Sequence, residues 1–333
     1  MKFAEILGDL NNKIYRPVYF LHGEEEYFID VICDYIAENV LNEADREFNQ
    51  IVLYGKDTDE QTIIDTARRY PMMANYLVVI VKEAQVLQNI DELADYFEKP
   101  VESTILVLCH KHKAYDNRKA LAKRADKSGV NFRSDRLYDS KIPAWINEQL
   151  KADGFAISPG GARLLTASLG NDLSKIQNEL GKLVLNLKPG QVIDENIIEE
   201  NIGISKEFNI FELQNAMGEG DMYKVNLICR HFGANPKTYP FVITLTLLYQ
   251  FFAKLLIFHS LKNKSNNQAV GAEIGVHHFF VKDYRTAARR FTPDRIFQSI
   301  SLLREYDMKF KGVNNSTTGE GELLREMILK MMH

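Results

Sequence analysis

The stretch RPVYFLHGEEEYFIDVICDYI, residues 16–36, decides the fold expected for this chain. Its apolar first part predicts a strand, Gly23 permits a tight turn, and the apolar positions that follow recur at the spacing of a helix. A strand, a tight turn and a helix form the frame of a phosphate-binding loop. The turn, however, contains three glutamates and no lysine: Glu24, Glu25 and Glu26.

The loop departs from a working nucleotide site in its chemistry. A phosphate-binding loop of the form GxxxxGK[ST] cradles phosphates with backbone amides, reaches them with a lysine and holds magnesium with a hydroxyl. Only Gly23 of that pattern remains here. The glutamates would repel a polyphosphate and would themselves satisfy the positive end of the helix dipole. The sequence therefore predicts a degenerate loop, and no cofactor is expected.

Further apolar segments predict a parallel sheet. They lie at residues 48–54, 77–81, 104–110 and 130–137, with helical patterns between the earlier ones. LVVIV and TILVL are apolar without alternation, as strands buried on both faces are. Strands that alternate with helices favour an α/β domain with a parallel sheet.

A second degenerate motif follows the strand at 77–81. Many ATPases place Asp-Glu at the end of such a strand to hold magnesium and activate water. This chain has Lys82, Glu83 and Ala84 there. Two degenerate motifs in the right order indicate an ATPase frame without its chemistry.

After about residue 140 the strand patterns give way to helical ones, which predict two all-α domains. The expected division is 1–140 for the α/β domain, 141–208 for a small helical domain and 209–333 for a C-terminal helical domain. The uncharged run TYPFVITLTLLYQFFA, residues 238–253, is shorter than the ~20 apolar residues of a membrane span. It predicts a buried helix, and no membrane partner is expected.

Charge and cysteine content limit the class of protein. The chain has 333 residues; the first 107 carry a formal charge of −12 and the remainder +8, which suggests faces with different partners. The three cysteines, Cys33, Cys109 and Cys229, form no CxxC pair, and the N-terminus lacks a signal-peptide pattern. A cytoplasmic protein is expected. Cys109, His110 and His112 predict no metal site, because alternate strand residues face opposite sides.

A basic segment, residues 110–127, follows the fourth strand. Lys111, Lys113, Arg118 and Lys119 are candidates for contact with DNA phosphates. The alternative is a solvated helix face, which is the commoner role of such a run.

An apolar turn lies within RRYPMMANYLVVIV, residues 69–81. Pro71 ends the preceding helix, and Met72 and Met73 follow it before the strand. Methionine is common on adaptable binding surfaces. Packing beneath a loop is the alternative, and the residues alone leave both open.

The order of these features resembles the delta subunit family of bacterial DNA polymerase III, the clamp-loader wrench. The matching segments are PVYFLHGEEEYFIDVICDYI, ARRYPMMANYLVVIV, TILVLCHKHKAYDNRKALAKRA, PAWINEQLKADGFAISPGGARLLTASLGNDLSKIQNELGKLVL and FELQNAMGEGDMYKVNLICRHF. The resemblance implies a degenerate AAA+-like α/β domain, a helical lid and a helical collar that assembles with other subunits.

The same resemblance implies a function without intrinsic catalysis. Such a subunit binds and opens the beta sliding clamp so that the clamp can be loaded on primed DNA. The family's Pro-apolar-apolar turn corresponds to Pro71, Met72 and Met73, where Met-Met replaces the more usual Leu or Phe. The implied partners are the clamp, the gamma/tau and delta-prime loader subunits, and primer-template DNA.

Three alternatives remain open. A delta-prime or motor subunit of the same loader would carry a Ser-Arg-Cys motif or an intact phosphate-binding loop, and neither pattern is present. An active NTPase of another family would hydrolyse ATP. A general interaction scaffold would not bind the clamp.

Overall fold

The computed structural model describes residues 1–138, 141–188, 190–203, 205, 208–314 and 317–333. The chain divides into two compact units, residues 1–137 and 138–333.

The first unit is an α/β domain. Its strands are β1 (Val18–Gly23), β2 (Gln50–Tyr54), β3 (Leu77–Lys82), β4 (Thr104–His110) and β5 (Val130–Ser134). Its helices are α1 (Phe3–Asn11), α2 (Glu26–Asn39), α3 (Glu43–Asn49), α4 (Glu60–Ala67), α5 (Ala94–Glu98) and α6 (Ala120–Ser128), with 3-10 turns at Ala84–Val86 and Ile90–Leu93.

The five strands of this fully described unit form one parallel sheet in the order β2-β3-β4-β1-β5. The first strand therefore lies between the fourth and the fifth. The connection after β1 leads towards one edge of the sheet and the connection after β4 leads towards the other, so the switch point lies where these adjacent strands end. Ligands of open α/β sheets bind beyond the carboxyl ends of the strands at such a switch point. The loop between β1 and α2 occupies that position.

Two apolar cores cover the two faces of the sheet. Val79 and Leu106 face the core beneath α4, α5 and α6, whereas their neighbours Val78 and Ile105 face the core beneath α1 and α2. All five residues of LVVIV are buried, and so is every residue of β4. The uninterrupted apolar runs are thus a consequence of burial on both sides, as the sequence predicts.

The second unit is built mainly of helices. They are α7 (Ile142–Ala152), α8 (Pro159–Leu169), α9 (Leu173–Leu185), α10 (Glu195–Ile202), α11 (Ile210–Glu219), α12 (Met222–Ala234), α13 (Phe241–Ser260), α14 (Asn267–Ile274), α15 (Val281–Arg290), α16 (Pro293–Phe310) and α17 (Glu320–Met332), with a 3-10 turn at His278–Phe280. Two short strands, β6 (Ala156–Ile157) and β7 (Val192–Ile193), pair in parallel. This small pair is absent from the all-α prediction, because two-residue strands leave no pattern in a sequence.

Helix α13 is the central helix of the C-terminal core. Of the described helices it alone is long and apolar enough to cross a membrane by length and composition. One side of it is nevertheless packed inside the protein, where its buried residues follow a helical spacing: Phe241, Thr244, Leu245, Leu248, Phe251, Phe252, Leu255 and Phe258. All of these residues except Thr244 join one apolar cluster with side chains from α11, α12, α16 and α17. The run predicted as a buried helix is therefore a core helix.

A partly buried arginine links α8 to the helices that follow residue 208. The guanidinium of Arg163 lies 3.8 Å from the ring centre of Phe211 and 4.1 Å from that of Phe280. Its Nη1 is 3.3 Å from the carboxylate of Asp283. Burial lowers the pKa of Arg163, and the charge of Asp283 opposes that shift. Planar stacking together with ion pairing suits arginine and not lysine.

The predicted fold class is confirmed: a parallel α/β unit precedes a mainly helical one. The fifth strand ends at Ser134, three residues before the predicted end, and its last residue takes part in the loop described below. The division of the helical part into a lid and a collar at about residue 208 stays a prediction.

Candidate functional site

The backbone amides of the loop after β1 are hydrogen-bonded within the protein. The N–H groups of Glu24 and Glu25 both donate to the carbonyl oxygen of Ser134, at 2.9 and 3.2 Å. The Ser134 hydroxyl in turn donates to the carbonyl of Glu25 at 2.6 Å. A phosphate-binding loop needs such amides free to face an anion. Here the end of β5 supplies the acceptor, so the cradle is filled by the protein itself.

Gly23 permits this close approach. A Cβ atom at that position would lie 2.0 Å from the Ser134 carbonyl oxygen, and its φ of +148° lies outside the usual range of residues with side chains. The one residue kept from the phosphate-loop pattern is therefore required for backbone packing between β1 and β5. Nucleotide binding is not needed to explain it.

The three glutamates have different surroundings. Glu24 is exposed. Glu25 is buried and caps α2, where its carboxylate accepts the Tyr27 N–H at 3.4 Å. Glu26 lies in the first turn of α2 and pairs with His112 at 2.8 Å and with Lys111 at 3.8 Å. Carboxylates thus occupy the positive end of the helix, where an anionic ligand would otherwise be stabilised.

The end of β3 lacks the carboxylate of a magnesium site. Lys82 closes the strand, and the exposed Glu83 adopts a left-handed conformation with φ of 54°. The Lys82 carbonyl accepts the N–H of Gly55, and the Glu83 carbonyl accepts that of Val86. Among the described residues, no group of three or more histidine, cysteine or acidic side chains is arranged to hold a metal ion.

A buried neutral histidine lies one residue before the loop glycine. His22 accepts the Tyr115 N–H through Nδ1 at 3.0 Å, and its Nε2 lies 3.1 Å from Oδ1 of Asn131. The second contact requires the proton on Nε2, so the neutral ring satisfies both partners. Burial lowers the pKa of His22 to about 4. The buried surroundings of His22 therefore favour its neutral form.

The basic segment is largely neutralised by acidic neighbours. Three of the candidate DNA contacts form ion pairs: Lys111 with Asp30 at 2.6 Å, Arg118 with Asp116 at 2.8 Å and Lys119 with Asp91 at 2.7 Å. Burial alone would lower the pKa of Lys111, but Asp30 raises it above its usual value. Lys113 is exposed, and no ion pair to it occurs within the described residues. Contact with DNA through this segment stays a prediction.

The turn between α4 and β3 holds two methionines in solvent. Met72 is 64% exposed and Met73 is fully exposed. Pro71 is half-buried, and the preceding Tyr70 is exposed. Met73 has a left-handed backbone with φ of 57°, which is uncommon for a residue with a long side chain. The methionines contribute little to either core.

Two residues of these sites are not evident in the sequence. Ser134 fills the loop, and Asn49 at the end of α3 hydrogen-bonds both backbone groups of Met72. A small polar residue at the carboxyl end of a strand, and an asparagine between a helix and a strand, are both ordinary capping positions. Nothing in the local sequence indicates partners 109 and 23 residues away.

Fold and site together define a class of protein. It is an α/β domain of the phosphate-loop type whose loop is filled by its own residues, followed by a helical unit. Two models of one family match the chain: DNA polymerase III, delta subunit, over residues 19–134, and DNA polymerase III delta subunit, C-terminal domain, over residues 207–330. The chain belongs to the DNA polymerase III delta subunit family.

Individual relatives are distant in sequence. DNA polymerase III subunit delta of Bacillus subtilis (strain 168) is 24% identical over 308 residues, which cover 89% of this chain and 88% of that protein. Among solved structures, the Bacillus subtilis DNA clamp loader delta protein aligns over 99% of both chains with 22% identity and a TM-score of 0.62. At that identity the structural similarity establishes the fold alone.

The neutral state of His22 predicts a pH dependence of stability. Between pH 6.5 and 4 the unfolded chain binds a proton that the folded chain excludes, so folding stability falls as the pH falls through this window. The loss amounts to at most about 3 kcal/mol. Unfolding by denaturant at several pH values should show this slope in the natural chain and a shallower one in His22→Gln, whose amide can keep both hydrogen bonds. Equal slopes in the two chains would contradict a neutral His22.

Proposed function

We propose that this chain is the clamp-loader subunit that binds the beta sliding clamp through Met72 and Met73 and opens it for loading on primed DNA. The observation that carries the proposal is the turn itself. Two long apolar side chains are exposed at the start of the buried strand β3, where solvent exposure brings no stability to the fold. Membership of the delta subunit family supplies the partner.

The neighbouring surface also suits an apolar partner. Phe48, next to Asn49 in the chain, and Tyr70, next to Pro71, are both exposed. Because Asn49 hydrogen-bonds Met72, the segment that carries Phe48 lies beside the turn, and Tyr70 precedes the turn in the chain. Aromatic and methionine side chains are enriched in protein interfaces.

Replacing both methionines by alanine should weaken clamp binding. Burial of one Met side chain contributes roughly 1.5–3 kcal/mol, part of which the ordering of the side chains offsets. We expect Met72→Ala with Met73→Ala to cost about 3–4 kcal/mol, a hundred- to a thousandfold in affinity. The thermal melt should barely change, because neither side chain is in a core. Surface plasmon resonance against the clamp of the same organism, with a melt of the same sample, measures both.

Met308→Ala is the matched control for this experiment, since it removes another exposed methionine, from α16 of the second unit. It should leave clamp affinity unchanged. An unchanged affinity in the double variant would overturn the proposed binding site. A lowered melting temperature with unchanged affinity would instead favour the packing role of the turn.

We also propose that the chain neither binds nor hydrolyses ATP. The amides of the loop are bonded to Ser134, carboxylates occupy the end of α2, and Lys82 stands where a magnesium ligand would be. Isothermal calorimetry with magnesium and ATP should detect no binding tighter than about 1 mM. The gamma/tau subunit serves as the positive control. Saturable binding with magnesium-dependent turnover would favour an active NTPase instead.

The C-terminal region is proposed to be the collar that assembles with the gamma/tau and delta-prime subunits, with residues 141–208 as the lid. Support comes from the outer side of α13. Four large apolar side chains there are 43–53% exposed: Val242, Ile243, Tyr249 and Ile257. At 3.6 residues per turn they lie on one side of the helix, opposite its core-facing residues. An apolar helix face left in solvent commonly marks an interface.

Charges on this outer face of α13 should prevent assembly. In Ile243→Glu with Tyr249→Glu, each carboxylate would be buried unpaired in the interface, at a cost of several kcal/mol, so association should weaken by more than about a hundredfold. The control is Leu185→Glu, which places a charge at an exposed apolar residue outside α13. Mass photometry of the reconstituted loader gives the assembled fraction, and clamp affinity should be retained. A double variant that still enters the loader would show that the collar interface lies elsewhere.

The remaining proposals follow from the same assignment. The assembled loader, and not this chain alone, would hold primer-template DNA. Of the four basic candidates, Lys113 is the one for which no ion pair occurs within the described residues. The chain is proposed to act in the cytoplasm.

A further inference from the structure

A buried asparagine holds the exposed methionine turn. Asn49, the last residue of α3, is only 1% exposed. Its Oδ1 accepts the N–H of Met72 at 2.6 Å, and its Nδ2 donates to the carbonyl oxygen of Met72 at 3.0 Å. Nδ2 also donates to the carbonyl of Asp45 at 3.1 Å, which ties the side chain to its own helix.

The Asn49 side chain bonds both the N–H and the C=O of Met72, and so it fixes the position of that residue's backbone. An amide side chain carries a donor and an acceptor, so it can satisfy the N–H and the C=O of the same residue as a neighbouring strand would. A carboxylate could accept but not donate, and a methyl group could do neither. Asparagine and glutamine carry the donor and the acceptor side by side on one planar group, and glutamine is longer by one methylene group.

Met73, which follows the residue bonded to Asn49, has an unfavourable backbone conformation. Met73 has φ of 57°, which costs energy for a residue with a Cβ atom unless the surroundings enforce it. Its side chain is fully exposed and gains nothing from the fold in return. A strained backbone that presents an apolar group to solvent is typical of a site preformed for a partner.

We propose that Asn49 is a positioning residue, which orders the Met72–Met73 turn for docking into the clamp before the two proteins meet. The inference rests on the proposed function of that turn. The conformational entropy of the turn is then lost when the protein folds. Less entropy is therefore lost when the clamp binds. Without the two bonds to Met72, the methionines would have to be ordered on the clamp.

The expected effect is a loss of affinity without loss of a contact. Each flexible side chain that is immobilised on binding lowers affinity by roughly two- to tenfold, and two methionines are involved. We therefore expect Asn49→Ala to weaken clamp binding roughly tenfold. A buried asparagine with only a local structural role would instead lower the melting temperature and leave the affinity unchanged.

A double-mutant cycle on the full-length chain separates these outcomes. Asn49→Ala is measured in the natural chain and in the chain that carries Met72→Ala with Met73→Ala. If Asn49 acts through the methionines, its substitution costs roughly tenfold in the first background and less than about twofold in the second. Equal losses in both backgrounds would overturn the proposal, as would no loss in the first.

Ile63→Val is the control for general destabilisation. Ile63 is fully buried on α4, the helix before the turn, and removal of one buried methylene group destabilises the fold. It should lower the melting temperature and leave clamp affinity unchanged. A comparable loss of affinity in Ile63→Val would attribute the Asn49 effect to stability and overturn the proposal.

Hydrogen exchange keeps the proposal testable if Asn49→Ala does not fold. In the natural chain the Met72 amide should exchange at least about tenfold more slowly than the Met73 amide, because only the former donates to a buried acceptor. Equal exchange at the two amides would show that the turn is not preordered.

The two levels of the assignment fail separately. If the paired alanine substitution leaves clamp affinity unchanged, the proposed clamp site itself is wrong. If that substitution weakens binding but Asn49→Ala does not, the site stands and only the role of Asn49 is wrong.

Discussion

The carbonyl oxygen of Ser134 is the acceptor on which the loop at the switch point of the sheet depends. It takes the N–H groups of Glu24 and Glu25, which in a phosphate-binding loop would face an anion. Gly23 is needed because any Cβ atom there would collide with the same carbonyl. The loop is therefore complete without a ligand, and the glutamates beside it do not have to tolerate a phosphate. Glu25 caps α2 instead, and Glu26 contacts Lys111 and His112.

Folding also brings acidic side chains of the first 107 residues next to the basic segment, residues 110–127. The acidic excess of the first 107 residues suggests separate faces when only the sequence is considered. In the structure, acidic side chains of this region meet the basic segment that follows it, through pairs such as Asp30 with Lys111 and Asp95 with Arg124, at 2.6 Å each. Exposed pairs of this kind contribute about 0–1 kcal/mol each, so their effect on stability is small. Their larger consequence is that the basic segment presents less free positive charge than its composition suggests.

The two apolar surfaces proposed as interfaces are both carried on ordered elements. The methionine turn is fixed by hydrogen bonds from Asn49, whereas the outer side of α13 is fixed because the opposite side of that helix is packed. A partner that binds either surface meets groups that are already in place. These features fit the proposed role: the amides of the loop after β1 are bonded to Ser134, and hydrogen bonds or packing hold the elements that carry both surfaces.

The sequence by itself determined the main strands of the sheet and the change from an α/β region to a helical one. The apolar runs LVVIV and TILVL predicted strands buried on both faces, and both are buried strands of the sheet. The prediction succeeds because the hydrophobic pattern of a segment reflects which of its side chains are buried. The switch from strands to helices after residue 140 follows from the same patterns. The loss of the phosphate-loop lysine could also be seen, because that chemistry requires one residue type at one position.

Only the tertiary structure decided how the sites are held. The bond between Ser134 and the loop spans 109 residues, and the bond between Asn49 and Met72 spans 23. A hydrophobic pattern records which side of an element is buried, but it does not record which backbone group a buried polar side chain meets. The exposure of Met72 and Met73 belongs to the same category: two apolar residues after a proline fit a core or a surface equally well. Packing of the turn against α3 decides between them, since Asn49 and not the methionines fills the buried position.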